Sequence, residues 1–344
     1  MAKPLTQVTA ILTVSASILT AALIPASASP PLDTVETILH ATPASIIDSA
    51  IPMRFNQDGT EASDINELVT LEEGLGGRTT AELPGKTGVS ISLPVDYSET
   101  QHATPGSKTI SWEDGNGVVF TPLVTREGDV QVNTIIPDAN APHSYSYEID
   151  IPSNAQVVQA GDAHLFIGAD GSLLAGLAPP WATDANGKAI PTRFEIEGKT
   201  VTQIIDFNEA TVFPVVADPF LGKNLFSSIG SKYGKYYGVN TNVVTLNLSA
   251  WGWAVYINNV SIVGFASGQY VLNDLGWKEA LAKGGKVKAL LLSKPSMRQQ
   301  FSCHALGAPF AGTWELETFR KNRTRSWTYG VGIHRCNWVT ADGK

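Results

Sequence analysis

Between residues 118 and 217 the chain runs in short apolar or alternating stretches, each closed by turn residues. Residues 118–124, 130–136, 144–151, 163–167, 193–196, 200–207 and 212–217 read as strands, being short and rich in Val, Ile, Thr, Phe and Tyr. Such side chains suit a pleated, half-buried surface. The dipeptides Asn116-Gly117, Asp170-Gly171 and Asn186-Gly187 place glycine where a two-residue hairpin turn needs positive φ. Seven short strands at this spacing predict a sandwich or barrel.

The flanking segments follow other periods. Residues 34–51 carry apolar residues at helical spacing, whereas 56–83 is acidic, glycine-containing and weakly periodic, so 29–107 reads as a loosely organised acidic segment with a short helix. Beyond residue 220, 243–248 alternates like a strand, and 250–270 is apolar and rich in small residues. Gly252, Gly264, Gly268 and the Asn258-Asn259 pair interrupt that stretch, which favours a buried helix or strand pair over a membrane hairpin. Residues 274–283 suit an amphipathic helix ended by Gly284-Gly285. Lys283, Lys286, Lys288 and Lys294 follow closely, a run typical of a solvated face. Ser296, after Pro295, is a candidate N-cap for a helix leading into Cys303 and His304. Residues 313–319 alternate Trp314, Leu316 and Thr318 with Glu315 and Glu317, and a basic turn at 320–325 leads to a return strand at 326–339. The expected fold class is α+β: a β-rich sandwich- or barrel-like region at 108–220, then a small α+β domain at 221–344.

Composition adds compartment. With 344 residues, 43% hydrophobic and 16% charged, the chain can fill a packed core, which excludes wholesale disorder. Lys3, the apolar run 10–24 and Pro25-Ala26-Ser27-Ala28 form the three parts of a signal peptide over 1–28. That run falls short of the roughly 20 apolar residues a membrane span needs, so no transmembrane anchor is expected after cleavage and the protein is expected to be secreted and extracellular. The two cysteines allow one disulfide at most, and export permits it. If Cys303 pairs with Cys336, closing that loop stabilises the fold by roughly 3–4 kcal/mol.

The net charge of −8 conceals a split. Residues 29–220 hold 8 Lys+Arg against 27 Asp+Glu, or −19, while 221–344 hold 15 against 5, or +10. Such asymmetry points the basic part toward an anionic extracellular polymer or surface, and the acidic region is its first intramolecular docking partner.

Two constellations carry candidate chemistry. A Cys303–Cys336 bond would draw His304 toward His334 and Arg335, where two histidines suit acid and base roles in phosphodiester cleavage, a metal site completed by a carboxylate such as Glu315 or Glu317, or the structural corner of a disulfide. Arg320, Lys321, Arg323 and Arg325, with Trp327 close by, supply cations and a stacking platform for a polyanion. No HExxH, GxSxG, Walker, GxGxxG, EF-hand or CxxC pattern occurs, and no cofactor or metal is expected.

The segments Ala141-Pro142-His143-Ser144-Tyr145-Ser146-Tyr147-Glu148, Ala178-Pro179-Pro180-Trp181-Ala182-Thr183-Asp184-Ala185-Asn186-Gly187 and Phe213-Pro214-Val215-Val216-Ala217-Asp218-Pro219 resemble the β-rich N-terminal region of many secreted actinobacterial proteins. The resemblance covers 108–219 and implies a carrier, folding aid or pro-region. Gly276-Trp277-Lys278-Glu279-Ala280, Ser296-Met297-Arg298-Gln299-Gln300-Phe301-Ser302-Cys303-His304, Trp314-Glu315-Leu316-Glu317 and His334-Arg335-Cys336-Asn337-Trp338 resemble a C-terminal domain of unknown function in an uncharacterised family of such proteins. That resemblance implies export and the disulfide, and no activity. The resulting expectation is a secreted protein whose basic domain binds an anionic partner while the acidic region accompanies or masks it. The alternatives are a nuclease-like hydrolase using His304 and His334, and a structural cell-envelope protein.

Overall fold

A computed structural model describes residues 34–51, 53–56, 59–62, 70–73, 78–82, 88–96, 100–103, 110–257, 262–308, 312–326, 336 and 338. In chain order, helices α1 (Thr34–Ala41) and α2 (Ala44–Ser49) precede strands β1 (Met53–Asn56), β2 (Gly59–Ala62), β3 (Thr70–Glu73), β4 (Arg78–Glu82), β5 (Ser90–Asp96), β6 (Thr100–Ala103) and β7 (Ile110–Glu113). Next come β8 (Val119–Val124), β9 (Val130–Ile136), β10 (Ser144–Asp150), β11 (Gln156–Ala160), β12 (Ala163–Ile167) and β13 (Leu173–Leu177). Strands β14 (Ala182–Thr183), β15 (Thr192–Glu197), β16 (Thr200–Ile205), β17 (Val215–Ala217) and β18 (Phe220–Gly222) complete the β-rich region. The C-terminal part holds β19 (Phe226–Tyr236), β20 (Val239–Leu248), α3 (Ala250–Ile257), α4 (Ile262–Ala282), α5 (Gly285–Leu291), α6 (Pro295–Gly307) and β21 (Trp314–Glu317). The fold is α+β with a β-rich N-terminal region, as the periodicity predicts.

Two antiparallel sheets enclose the main core. One runs β1-β2-β3-β4-β5-β10-β16-β15 and the other β11-β12-β13-β18-β9-β8-β7-β6, with β17 on β9 and β14 on β17. Ile91, Leu93, Tyr147 and Val201 of the first sheet share one buried cluster with Phe120, Val130, Val132 and Val215 of the second. Two polar links also cross this core: the Tyr147 hydroxyl lies 2.5 Å from Thr134 Oγ1, and Gln203 Nε2 donates to Asp218 Oδ1 at 3.1 Å. Strands β8 and β9 are buried on both faces. Their polar side is closed by the N-terminal helices, where Thr42 Oγ1 donates to Asn133 Oδ1 at 2.8 Å and Ile51 N to Val124 O at 2.9 Å.

Several expectations need correction. The 29–107 segment contains two helices, separated at Pro43, and strands β1–β6 rather than a loose chain around one helix. In β5 the alternation of Ile91, Leu93 and Val95 against Ser90 and Ser92 buries one face and marks the strand. Of the helix or strand pair expected over 250–270, the described residues 250–257 and 262–270 are helical, and the helix expected at 274–283 is the end of the longer α4. Helix α6 starts at Pro295, with Lys294 as the cap and Ser296 buried inside the first turn. Proline suits that first position because its missing N–H has no partner there anyway. Strand β21 pairs with β20, Trp314 and Leu316 sitting opposite Leu246 and Val244. The return strand at 326–339 falls almost entirely outside the described residues, as does the signal segment 1–28.

The boundary expected after Phe220 falls inside β18, and the two regions are fused there. Trp251 of α3 is fully buried against Gly222, where an added Cβ would lie 2.3 Å from the indole, and against Gly176 at 3.0 Å. Only glycine allows that approach. Beyond it the backbone is held by two carboxylates: Asp129 Oδ1 accepts from Lys223 N at 3.1 Å, and Glu279 of α4 accepts from Leu225 N and Phe226 N at 2.8 and 3.1 Å. Burial raises Asp129 to about 8 and Glu279 to about 7. The acidic and basic regions thus meet on an apolar ring and shared backbone bonds.

A carboxyl whose folded pKa is raised adds stability that is present below its unfolded pKa and disappears as pH climbs through the folded value. For Asp129 that window runs from its ordinary value of 3.8 to about 8. Denaturant unfolding should therefore show the protein losing roughly 2 kcal/mol between pH 6.5 and 8.5, with Asp129→Asn, which keeps the Lys223 bond, removing most of that slope. An unchanged slope in the variant would refute the assignment.

Candidate functional site

The sequence-derived candidates that are described lie on α6, beside the disulfide, and on the segment after β21. Cys303 on α6 is bonded to Cys336, with Cα atoms 5.5 Å apart. Two consecutive glutamines of the same helix fasten the segment that follows β21. The Gln300 carboxamide accepts from Glu317 N at 2.8 Å and donates to Glu317 O at 3.2 Å, completing the strand edge as a neighbouring strand would. Gln299 accepts from Arg323 N at 2.8 Å and donates to Arg323 O at 3.0 Å.

Between these two anchor points lies Arg320, 1% exposed. Its Nε donates to Glu317 Oε2 at 2.5 Å and its Nη1 to the Trp338 carbonyl at 2.8 Å. The guanidinium also lies 4.5 Å from the Phe319 ring centre and 4.8 Å from that of Tyr237. Arg323 is buried over the Trp338 ring at 4.6 Å and donates to Ser326 O, while Trp338 Nε1 donates to Lys321 O at 2.6 Å. A planar guanidinium that stacks on rings suits the interior, and here Arg320 Nη2 and Arg323 Nε and Nη1 are buried with no hydrogen-bond partner among the described residues.

This placement changes the expected binding turn. Arg320 and Arg323 are interior residues, so they do not present charge to a polymer; Lys321 and Arg325 are exposed, and Trp327 falls outside the described residues. His304 is 3% exposed and stacked on Trp314, with ring centres 5.3 Å apart and planes 13° from parallel. Neither ring nitrogen has a hydrogen-bond partner among the described residues. Burial pushes its pKa down to about 4, so it is neutral at ordinary pH. His334 and Arg335 lie outside the described residues. Of the expected acid–base pair, the member that is described is enclosed beneath an indole.

The surface cations lie elsewhere. Each acidic residue described in the basic region is already engaged: Asp274 with Lys278 at 3.2 Å, Glu315 with Lys232 at 2.5 Å, Glu317 with Arg320, and Glu279 with the backbone. Lys235, Lys283, Lys286, Lys288 and Lys321 are exposed and form no ion pair among the described residues. Helix α5, carrying Lys286 and Lys288, packs against β19 and β20, so these charges share one part of the molecule with the hairpin. The aromatic component missed by sequence reasoning is on that hairpin, where Tyr233 is 66% and Tyr237 74% exposed. Its signal was the recurrence of lysine and tyrosine through Lys232, Tyr233, Lys235, Tyr236 and Tyr237.

A pocket of about 290 Å³ beside α1 brings His40 near Asp184. That carboxylate is committed to its own turn, accepting from Asn186 N and Lys188 N at 2.9 Å each. Among the described residues no three His, Cys, Asp or Glu side chains gather as metal ligands, and no helix is long and apolar enough to cross a membrane.

The disulfide closes a loop with a sequence separation of 33. Replacing both cysteines by serine should lower unfolding free energy by roughly 3 kcal/mol in urea titrations. Adding reductant should destabilise the wild type by a similar amount and leave the double variant unchanged. No protein-family model matches this chain, and no curated protein matches it.

Proposed function

We propose that the protein is exported and that its region 221–344 binds an anionic polymer or surface outside the cell. The observation that carries this reading is the set of exposed lysines without acidic partners among the described residues, Lys235, Lys283, Lys286, Lys288 and Lys321, in a region whose described acids are already engaged. A surface of one sign attracts counter-charge over about a Debye length and gives binding that weakens with salt. The disulfide fits an oxidising compartment. The acidic region acts as a scaffold fused through Trp251, and its role as an electrostatic mask has no support from that apolar junction. The burial of His304 favours binding over hydrolysis that would use this histidine.

A triple charge reversal, Lys283→Glu, Lys286→Glu and Lys288→Glu, tests the reading on exposed positions. Binding of the intact protein to polyphosphate should weaken steeply between 50 and 200 mM salt, as general polyanion contacts do. The variant should bind at least tenfold more weakly, and its log–log salt slope should fall by about 2. Salt-independent binding, or an unchanged slope in the variant, would overturn the proposal.

A further inference from the structure

The β19–β20 hairpin turns through two residues of positive φ, Tyr237 at 49° and Gly238 at 83°, between the paired Tyr236 and Val239. Both residues in the left-handed region define a type I′ turn, whose first position ordinarily takes Asn, Asp or Gly. A tyrosine there is strained, and a residue held in a sparsely populated conformation invites a functional explanation. The burial of its ring offers no such explanation, since Tyr237 is 74% exposed.

Its surroundings narrow the choice. The ring of Tyr237 lies 6.4 Å from that of Phe319 and 4.8 Å from the Arg320 guanidinium. Arg320 is locked by Glu317 and the Trp338 carbonyl, so this support is rigid. Exposed Lys321 adjoins Arg320 in sequence, and Lys294 reaches the same end of the sheet by donating to Thr318 O at 2.8 Å. On β19, Tyr233 and Lys235 are exposed two residues apart and therefore share a face. Strand rise places Tyr233 about 13 Å from the tip, with a lysine between.

We propose that this end of the hairpin is a binding site for single-stranded nucleic acid, in which Tyr237 stacks on an unpaired base and Lys235 and Lys321 contact the flanking phosphates. The inference rests on the polyanion reading above and narrows it to one class of polymer. An exposed ring braced from behind by a fixed cation offers a platform for a π-face, and every base has one. Polyphosphate and polyol-phosphate chains satisfy the lysines and leave the tyrosine unused. A duplex keeps its bases stacked and also leaves it unused.

The test compares labelled oligo(dT) of about 16 nucleotides, the corresponding duplex and polyphosphate of equal charge as ligands of the intact protein, by fluorescence anisotropy and competition. Tyr237→Asn removes the ring and its contact with Arg320 and supplies a residue that prefers this turn, with circular dichroism and thermal unfolding checking that the fold is kept; Tyr237→Phe keeps the ring. The expected result is tighter binding of oligo(dT) than of either competitor, about tenfold loss in Tyr237→Asn with polyphosphate binding unchanged, and near wild-type behaviour in Tyr237→Phe. Equal affinity for oligo(dT) and polyphosphate, or indifference to Tyr237→Asn, would overturn the stacking site while leaving the polyanion surface standing. Preference for the duplex would overturn it in favour of a ribbon lying in a groove. Absence of binding to all three would overturn the broader reading as well.

Discussion

The contact of Trp251 with Gly222 is the constraint on which the arrangement of this chain depends. A fully buried indole rests where even a methyl group would collide, at the strand through which the polypeptide leaves the β-rich region. The residues just beyond are bonded to a carboxylate from each side, Asp129 from the sheet region and Glu279 from α4. Because these bonds use main-chain N–H groups, side-chain changes within 223–226 leave them in place. The two regions of opposite charge are consequently one packed body at this point, and their charge difference is displayed outward.

The disulfide corner applies the same device with side chains in place of strands. Gln299 and Gln300 each offer a carboxamide to a backbone N–H and C=O pair, at Arg323 and at Glu317, and the chain between these residues must turn over Arg320. The arginine is then enclosed with its own counter-charge, Glu317, three residues earlier. Burying an ion pair is repaid only as far as its other donors are supported. Here the Trp338 carbonyl takes Nη1 and two aromatic rings face the guanidinium, while Nη2 has no hydrogen-bond partner among the described residues; these contacts hold the end of the hairpin to the end of β21.

The strands of the central region were legible because their apolar residues alternate or run together between glycine turns: β9 and β12 fall on the expected residues and five others overlap theirs. Strands β11 and β13 escaped for opposite reasons. Gln156–Ala160 is nearly all exposed and so lacks a buried stripe, while Leu173–Leu177 reads equally well as any short apolar run. At the candidate site, the pairing of the cysteines was legible once export was assumed. The burial of Arg320 and Arg323 was not, because charge is read from sequence as exposure, and the partners that enclose them come from α6, from Tyr237 of the hairpin and from Trp338. Burial of an arginine is decided by long-range contacts that a local pattern does not contain.

Strand β19 is eleven residues long and forms the outer edge of its sheet among the described residues. Such an edge is a template for a second copy of itself, and lysine is a common means of discouraging that pairing. Lys232 and Lys235 therefore guard this edge, and in the proposed polyanion contact the charge of Lys235, unlike that of Lys232, which Glu315 already engages, takes on a second and opposing role. A polymer that neutralises these lysines also removes the repulsion between copies of the edge, so a chain crowded along a polyanion is less protected against strand-to-strand association than one in free solution.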